Sequence, residues 1–245
     1  NSGPARYIFV AIPGTSPADL KNITEKNYTL AFLRGIMKDP AYEAMERAKR
    51  QSSSGNPEGA AKTLEEYLRD DPHNAKPRIL LSNIYIYGLN MFDFGVFQLD
   101  VVSDLEPDNL DCLKAKVTAL SSKKKYNKET DELYRRLVEL DPSSDVFDAY
   151  GTFLKMQMLD FKKSAEYYCK AIAKDPRNSD YRINYASLLL NDLRDYVKAK
   201  KELEAIISID PDNQNAKKNL AKLLNNHFDP KGDLKKGFGH KPKKI

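Results

Sequence analysis

Residues Leu159–Asn178, LDFKKSAEYYCKAIAKDPRN, contain the pattern that decides the fold. It predicts an amphipathic helix, because small and aromatic residues share one helical face before an Asp-Pro pair, and proline cannot continue a helix. Similar prolines recur at Pro40, Pro72, Pro107, Pro142, Pro176 and Pro211, with separations of 32, 35, 35, 34 and 35 residues. A fixed period in this range predicts a stack of similar helical units rather than one irregular globule.

Each unit is predicted to contain two helices. Asp39 and Pro40 begin the first of them, because aspartate accepts hydrogen bonds from free backbone amides and proline suits the first helical turn. A Ser-Ser-Ser-Gly-Asn turn at residues 52–56 separates this helix from a second one that ends near Asp70. Small residues such as Ala48 would let the paired helices approach closely. Units two to five carry one extra residue in the turn between their two helices.

The predicted organisation surrounds this array with two different ends. We expect an extended segment at residues 1–15, a leading helix at 16–40, five repeats at 41–211, a capping helix at 212–228 and a basic flexible tail at 229–245. The tail holds six lysines against two aspartates, whereas the whole chain has a net charge of +5, so the folded body is nearly neutral. No apolar run approaches the roughly 20 residues of a membrane span.

The Asp-Pro turns resemble those of tetratricopeptide (TPR) repeats. DPHN at 71–74, EPDN at 106–109, DPRN at 175–178 and DPDN at 210–213 match the family's pattern, and DPSS at 141–144 departs at its last position. The resemblance implies an all-α, right-handed α-solenoid of antiparallel helix pairs, a TPR-like superhelix. It also implies a non-catalytic scaffold or adaptor that binds an extended peptide or helix of a protein partner in a concave groove.

In such a groove the ligand lies against the first helix of each pair. Counting from the repeat phase places fifteen candidate residues there: Tyr42, Met45, Lys49, Lys76, Asn83, Ile86, Lys114, Thr118, Asp148, Thr152, Ile183, Asn184, Ser187, Lys218 and Lys222. Three further aspartates share this phase, namely Asp111, Asp145 and Asp180. The candidate groove therefore has lysines towards both ends and aspartates in the middle.

Four other binding modes stay open at this point. One TPR subclass holds the carboxylates of heat-shock chaperones with several basic side chains, but only Asn83 matches that pattern and Asp111 would repel the ligand. The lysine-rich tail favours a nucleic-acid or ribonucleoprotein accessory factor, or contact with an anionic membrane. The end helices could stack on a second copy of the chain. The apolar residues Tyr7–Ile12 could occupy the groove as an internal ligand.

Catalysis, metal binding and cofactor binding have no support in the sequence. The three histidines, His73, His227 and His240, do not have metal-ligand spacing, and no phosphate-loop, dinucleotide or nucleophile-elbow motif occurs. Cys112 and Cys169 occupy helix positions in different repeats, so packing is expected rather than a disulfide. We therefore expect a protein that is not an enzyme, needs no cofactor and resides in the cytoplasm.

Overall fold

The computed structural model describes residues 39–121, 123–235 and 237, and this part of the chain contains eleven α-helices and one isolated β-bridge. The all-α expectation is therefore confirmed. The chain divides into two compact units, Asn1–Pro107 and Asp108–Ile245, and each is described by itself. The predicted extended segment, the internal ligand Tyr7–Ile12 and most of the leading helix lie outside the described residues.

The helices form pairs. In the first unit they are α1 (Pro40–Ser53), α2 (Pro57–Asp70), α3 (Ala75–Asn83) and α4 (Phe92–Leu105). In the second unit they are α5 (Leu110–Leu120), α6 (Asn127–Leu140), α7 (Ser144–Phe153), α8 (Phe161–Lys174), α9 (Ser179–Leu188), α10 (Tyr196–Ile209) and α11 (Gln214–His227). Each odd-numbered helix up to α9 packs against the helix that follows it, and α11 packs against α10. Within each unit, neighbouring pairs also pack against each other.

The turns between repeats begin the helices as predicted. Asp39 accepts a hydrogen bond from the amide of Ala41 at 2.9 Å, and Pro40 is the first residue of α1. Asn178 and Asn213, at the ends of their Asp-Pro turns, cap α9 and α11 in the same way. In the divergent DPSS turn, Ser143 precedes α7 directly after the proline, so this turn is one residue shorter than the others. The shorter turn accounts for the spacing of 34 between Pro142 and Pro176, where the spacings on either side are 35.

A small buried residue marks the contact between the two helices of each pair. On the first helices these residues are Ala48, Ser82, Val117, Gly151 and Ala186, and on the second helices they are Ala60, Gly95, Thr130, Ser164 and Ala199. The buried residue of the first helix and that of the second lie 12 positions apart in the first pair and 13 apart in the other four. This spacing confirms that units two to five have one more residue between their helices than the first unit. A Cβ atom added to Gly151 would lie 3.0 Å from the ring of Tyr168, so a larger residue would push the helices apart.

The extra residue is taken up at the end of the first helix in three pairs. These helices end in five-residue π-helical turns at Ile84–Gly88, Leu154–Met158 and Leu189–Leu193. A left-handed residue follows each turn, with φ of 55° at Asn90, 54° at Leu159 and 53° at Arg194. The widened turn and the left-handed residue together reverse the chain before the second helix begins.

A buried carboxylate links the third and fourth pairs. Asp131 on α6 is 6% exposed and accepts a hydrogen bond from the hydroxyl of Tyr150 on α7 at 2.6 Å. Lys163 on α8 donates to the same hydroxyl at 3.2 Å, and Arg135 pairs with the other oxygen of Asp131. Tyr150 is fully buried, and its ring stacks on Tyr134 with centroids 5.0 Å apart. The hydrogen bonds of Asp131 and Tyr150 therefore connect α6, α7 and α8.

The first residues of the predicted tail, 229–235, pack back on the end of α11. Phe228 and Leu234 form an antiparallel bridge, and Lys235 donates its backbone N–H to the carbonyl of His227 at 2.9 Å. Leu234 also packs against the apolar core formed with α10 and α11. Burial of the Leu234 side chain against this core stabilises the position of residues 229–235.

Candidate binding face on the first helices

The fifteen predicted groove residues lie on the first helices, in the π-helical turn after α3 and on α11. Lys49, Asn83, Thr118, Thr152 and Ser187 each directly follow the small buried residue of their helix. None of the fifteen is buried, since each side chain is exposed or partly exposed. Repeat counting therefore selected residues on the accessible side of these helices. Six of them belong to the first unit and nine to the second.

In the first unit, some of these residues serve mainly as packing residues. Met45 packs against the apolar core of α1 to α3, and the side chain of Ile86 lies directly over Gly95. Lys49 bonds to Glu46 on its own helix at 2.9 Å. Tyr42 and Lys76 remain exposed. This unit therefore offers single polar side chains rather than a connected set of groups.

In the second unit, the structure brings several candidates together across the fourth and fifth pairs. The side-chain amide of Asn184 on α9 donates to both carboxylate oxygens of Asp148 on α7, at 3.0 Å each. One turn earlier, the Tyr181 hydroxyl donates to Asp145. These bonds join residues 36 positions apart and fix the spacing of the two first helices. We call the surface formed by Asp145, Asp148, Asp180, Ile183 and Asn184 the acidic face; Asp180 and Ile183 are exposed beside the bonded residues.

The acidic face favours positive charge. Burial raises the pKa of Asp148 above its ordinary value, the hydrogen bonds from Asn184 oppose that shift, and the nearby carboxylates of Asp145 and Asp180 raise the pKa further. Lys155, further along the chain from α7, is engaged elsewhere, since its Nζ donates to the Ser187 hydroxyl at 3.0 Å and lies 3.8 Å from Asp192. A cationic ligand would relieve the repulsion among these carboxylates.

Other predicted candidates are directed to partners within the unit. Lys114 pairs with Asp141 at 2.7 Å, and this bond lowers the pKa of the aspartate. The hydroxyl of Thr118 donates to a backbone carbonyl of its own helix. Thr152 and the Tyr168 hydroxyl lie 3.0 Å apart. Lys218 and Lys222 are exposed on α11.

Sequence reasoning missed Tyr181, which bonds to the acidic face, and Lys155, which bonds to Ser187. Lys155 stands four residues after Gly151, the position that Ile86 occupies after Ser82, so the repeat phase already contained a signal for it. Tyr181 has no such signal, because its role depends on the packing of two helices that are distant in sequence. The two cysteines are free thiols, with Cys112 buried and Cys169 exposed.

In the described part of the chain, no group of three or more histidine, cysteine, aspartate or glutamate side chains is arranged to hold a metal ion. Among the same residues, every helix is too short or too polar to cross a membrane.

Comparison with known proteins identifies the fold through solved structures. No protein-family model and no curated protein sequence matches the chain. MamA from Desulfovibrio magneticus RS-1 is similar in structure, with a TM-score of 0.62, 20% identity, and coverage of 73% of this chain and 99% of that one. A tetratricopeptide repeat protein from Parabacteroides merdae has a TM-score of 0.63 and 14% identity, over 76% of this chain and 72% of that one.

A third similar structure is YrrB, described as a TPR protein with an unusual peptide-binding site. Its TM-score is 0.53 at 17% identity, and the match covers 67% of this chain and 84% of YrrB. At these identities the likeness concerns the fold and not the ligand.

Proposed function

From the tetratricopeptide-repeat fold of its helix pairs, we propose that the chain is a protein-interaction scaffold that binds an extended partner segment along the acidic face. The observation that carries the proposal is the bonded pair Asp148 and Asn184, flanked by the exposed Asp145 and Asp180. YrrB, which shares the fold, is described as having a peptide-binding site. A fixed acidic surface across two first helices suits a segment that places lysine or arginine against the carboxylates.

The partner segment should also carry an apolar residue. Ile183 lies on the acidic face and is 40% exposed, and Met156, at the end of the neighbouring first helix, is 60% exposed. Removing such side chains from water favours binding, whereas the carboxylates select the charge of the ligand. We therefore expect a basic sequence interrupted by one or two apolar side chains.

Selection from a random peptide library tests this proposal. Peptides that bind the full chain should be enriched in lysine and arginine, and their affinity should be measured by fluorescence anisotropy. Charge reversal by Asp180→Lys should weaken binding by about ten-fold or more, as expected when an attractive contact becomes repulsive. Glu139→Lys, at an exposed glutamate on the second helix α6, is the matched control and should have little effect.

The pH dependence gives a second readout. Binding of a basic peptide needs the ionised form of Asp148, whose pKa is raised by burial. Affinity should therefore fall as the pH drops towards the pKa of Asp148, which lies above the ordinary value of an aspartate. Peptides without enrichment in basic residues, or equal losses in Asp180→Lys and Glu139→Lys, would refute the proposed site.

Polyanion binding by the tail stays a separate hypothesis. Because residues 229–235 pack on the fold, a deletion should begin at Lys236 rather than at Asp229. Binding to RNA or DNA that is unchanged by this deletion across a salt titration would exclude the tail as its source.

A further inference from the structure

Helix α4 in the first unit has apolar residues on two faces. Gly95, Leu99 and Val102 are buried in the fold. A second row, spaced three or four residues apart, lies on the outside; it consists of Phe94, Phe97, Val101 and Leu105, and we call it the outer stripe. Phe94 is 58% exposed, Phe97 59% and Leu105 44%.

The outer stripe is unusual when α4 is compared with α8, the second helix of the fourth pair. Counting from the small buried residues Gly95 and Ser164, the four corresponding positions of α8 are Lys163, Glu166, Lys170 and Lys174. All four are charged, as expected for the outer side of a helix in contact with water. Phe94, Phe97 and Val101 therefore do not follow from the repeat pattern, whereas Leu105 corresponds to the exposed Leu140 of α6 and Ile209 of α10. Exposed apolar rows of this kind commonly mark contact sites.

Part of the outer stripe is held in place by the fold. The ring of Phe94 lies against that of Tyr85, with centroids 6.0 Å apart. The hydroxyl of Tyr85 is in turn hydrogen-bonded to Glu65 on α2. The exposed ring of Phe94 is thus supported before any ligand arrives, which reduces the entropy lost on binding.

The charge beside the outer stripe indicates what covers it. Asp93, Asp100 and Asp104 follow one edge of α4 at helical spacing, and the helix contains no lysine or arginine. Two copies of α4 packed antiparallel about a two-fold axis would bring these like-charged edges together. The same carboxylates disfavour an anionic lipid surface.

We propose that the outer stripe is a docking surface for an amphipathic helix of a partner protein whose apolar row is flanked by lysine or arginine. The apolar row of the partner covers Phe94, Phe97 and Leu105, and its basic edge pairs with the aspartate edge of α4. This surface belongs to the first unit and does not depend on the acidic face of the second unit.

A pair of synthetic peptides tests the proposal with the full chain. Both are amphipathic helices with the same leucine row and a fluorescent label, and they differ only in carrying lysine or glutamate along one edge. Fluorescence anisotropy should show that the lysine peptide binds the wild-type chain. Phe94→Ser with Phe97→Ser should weaken binding by about ten-fold or more, because most of the apolar contact is lost.

Two further variants separate this surface from other sites. Val197→Ser with Ile209→Ser removes exposed apolar groups from α10 in the second unit, outside the acidic face, and should leave affinity for the lysine peptide unchanged. Asp93→Lys with Asp104→Lys should transfer the preference to the glutamate peptide. Circular dichroism and thermal unfolding of each variant establish that the fold is retained, as expected for substitutions at exposed positions.

Several results would overturn the proposal. They are absence of binding by the wild-type chain, equal affinity of the phenylalanine variant, or loss of binding in the Val197 and Ile209 variant alone. Sedimentation that shows a dimer dependent on Phe97 would assign the outer stripe to a second copy instead. Flotation with phosphatidylcholine vesicles that depends on the same residue would assign it to a lipid surface.

Discussion

Replacing Tyr150 by phenylalanine should destabilise the second unit more than the same change at Tyr168. Both side chains are buried, with exposures of 0% and 1%. The hydroxyl of Tyr150 donates to the buried carboxylate of Asp131 at 2.6 Å, whereas the hydroxyl of Tyr168 lies 3.0 Å from the neutral hydroxyl of Thr152. A hydrogen bond to a charged group contributes about 1.5–3 kcal/mol and a neutral one about 1 kcal/mol. We therefore expect Tyr150→Phe to lower the free energy of unfolding by about 2 kcal/mol and Tyr168→Phe by about 1 kcal/mol.

Equilibrium unfolding in urea, followed by circular dichroism, measures both values. The dependence of the unfolding free energy on urea should be unchanged, so that the comparison reports stability and not a change in the surface exposed. Combining Tyr150→Phe with Asp131→Asn completes a double-mutant cycle, which should give a coupling energy of about 1 kcal/mol or more. A loss in Tyr150→Phe no larger than in Tyr168→Phe, or a coupling energy near zero, would refute the role assigned to the buried carboxylate.

Three other substitutions test features of the repeats. Asp180→Asn should lower the pKa of Asp148 by removing a nearby negative charge, measured by carboxyl NMR titration; an unchanged pKa would show that burial alone sets it. Leu159→Gly should raise the free energy of unfolding by about 1 kcal/mol, because Leu159 is 65% exposed with φ of 54°. Its control Leu140→Gly, in the last turn of α6, should lower that energy in the same urea assay, and a loss in both would contradict the strain argument. Gly95→Ala should destabilise by about 1–3 kcal/mol in urea, because its Cβ would lie 2.9 Å from a backbone oxygen of α3; increased stability would show that the helices adjust.

The regular features of the fold could be predicted because each repeats and has a local cause. Asparagine and aspartate caps, prolines and small contact residues act within a few positions of the chain. Their recurrence therefore predicted the helix pairs and the extra residue in units two to five. The position of a residue within the repeat was also enough to predict which side chains of the first helices are accessible to solvent.

The contacts of the candidate site could not be predicted in the same way. Asn184 and Asp148 meet because two helices pack side by side, and no local pattern specifies which polar groups then face each other. The outer stripe was missed for a different reason: apolar residues in a helix are ordinarily assigned to the core, and α4 carries them on two faces. Leu234 likewise became informative only through its contact with the preceding core.

The surface of α11 has a consequence for assembly at this end of the second unit. Its buried residues, Ala216 and Leu223, face the preceding pair, while Lys217, Lys218 and Lys222 are exposed. End-to-end polymerisation through this surface would require the lysines to lose their hydration, with no apolar row to compensate. Growth of a filament through this surface of α11 is therefore disfavoured.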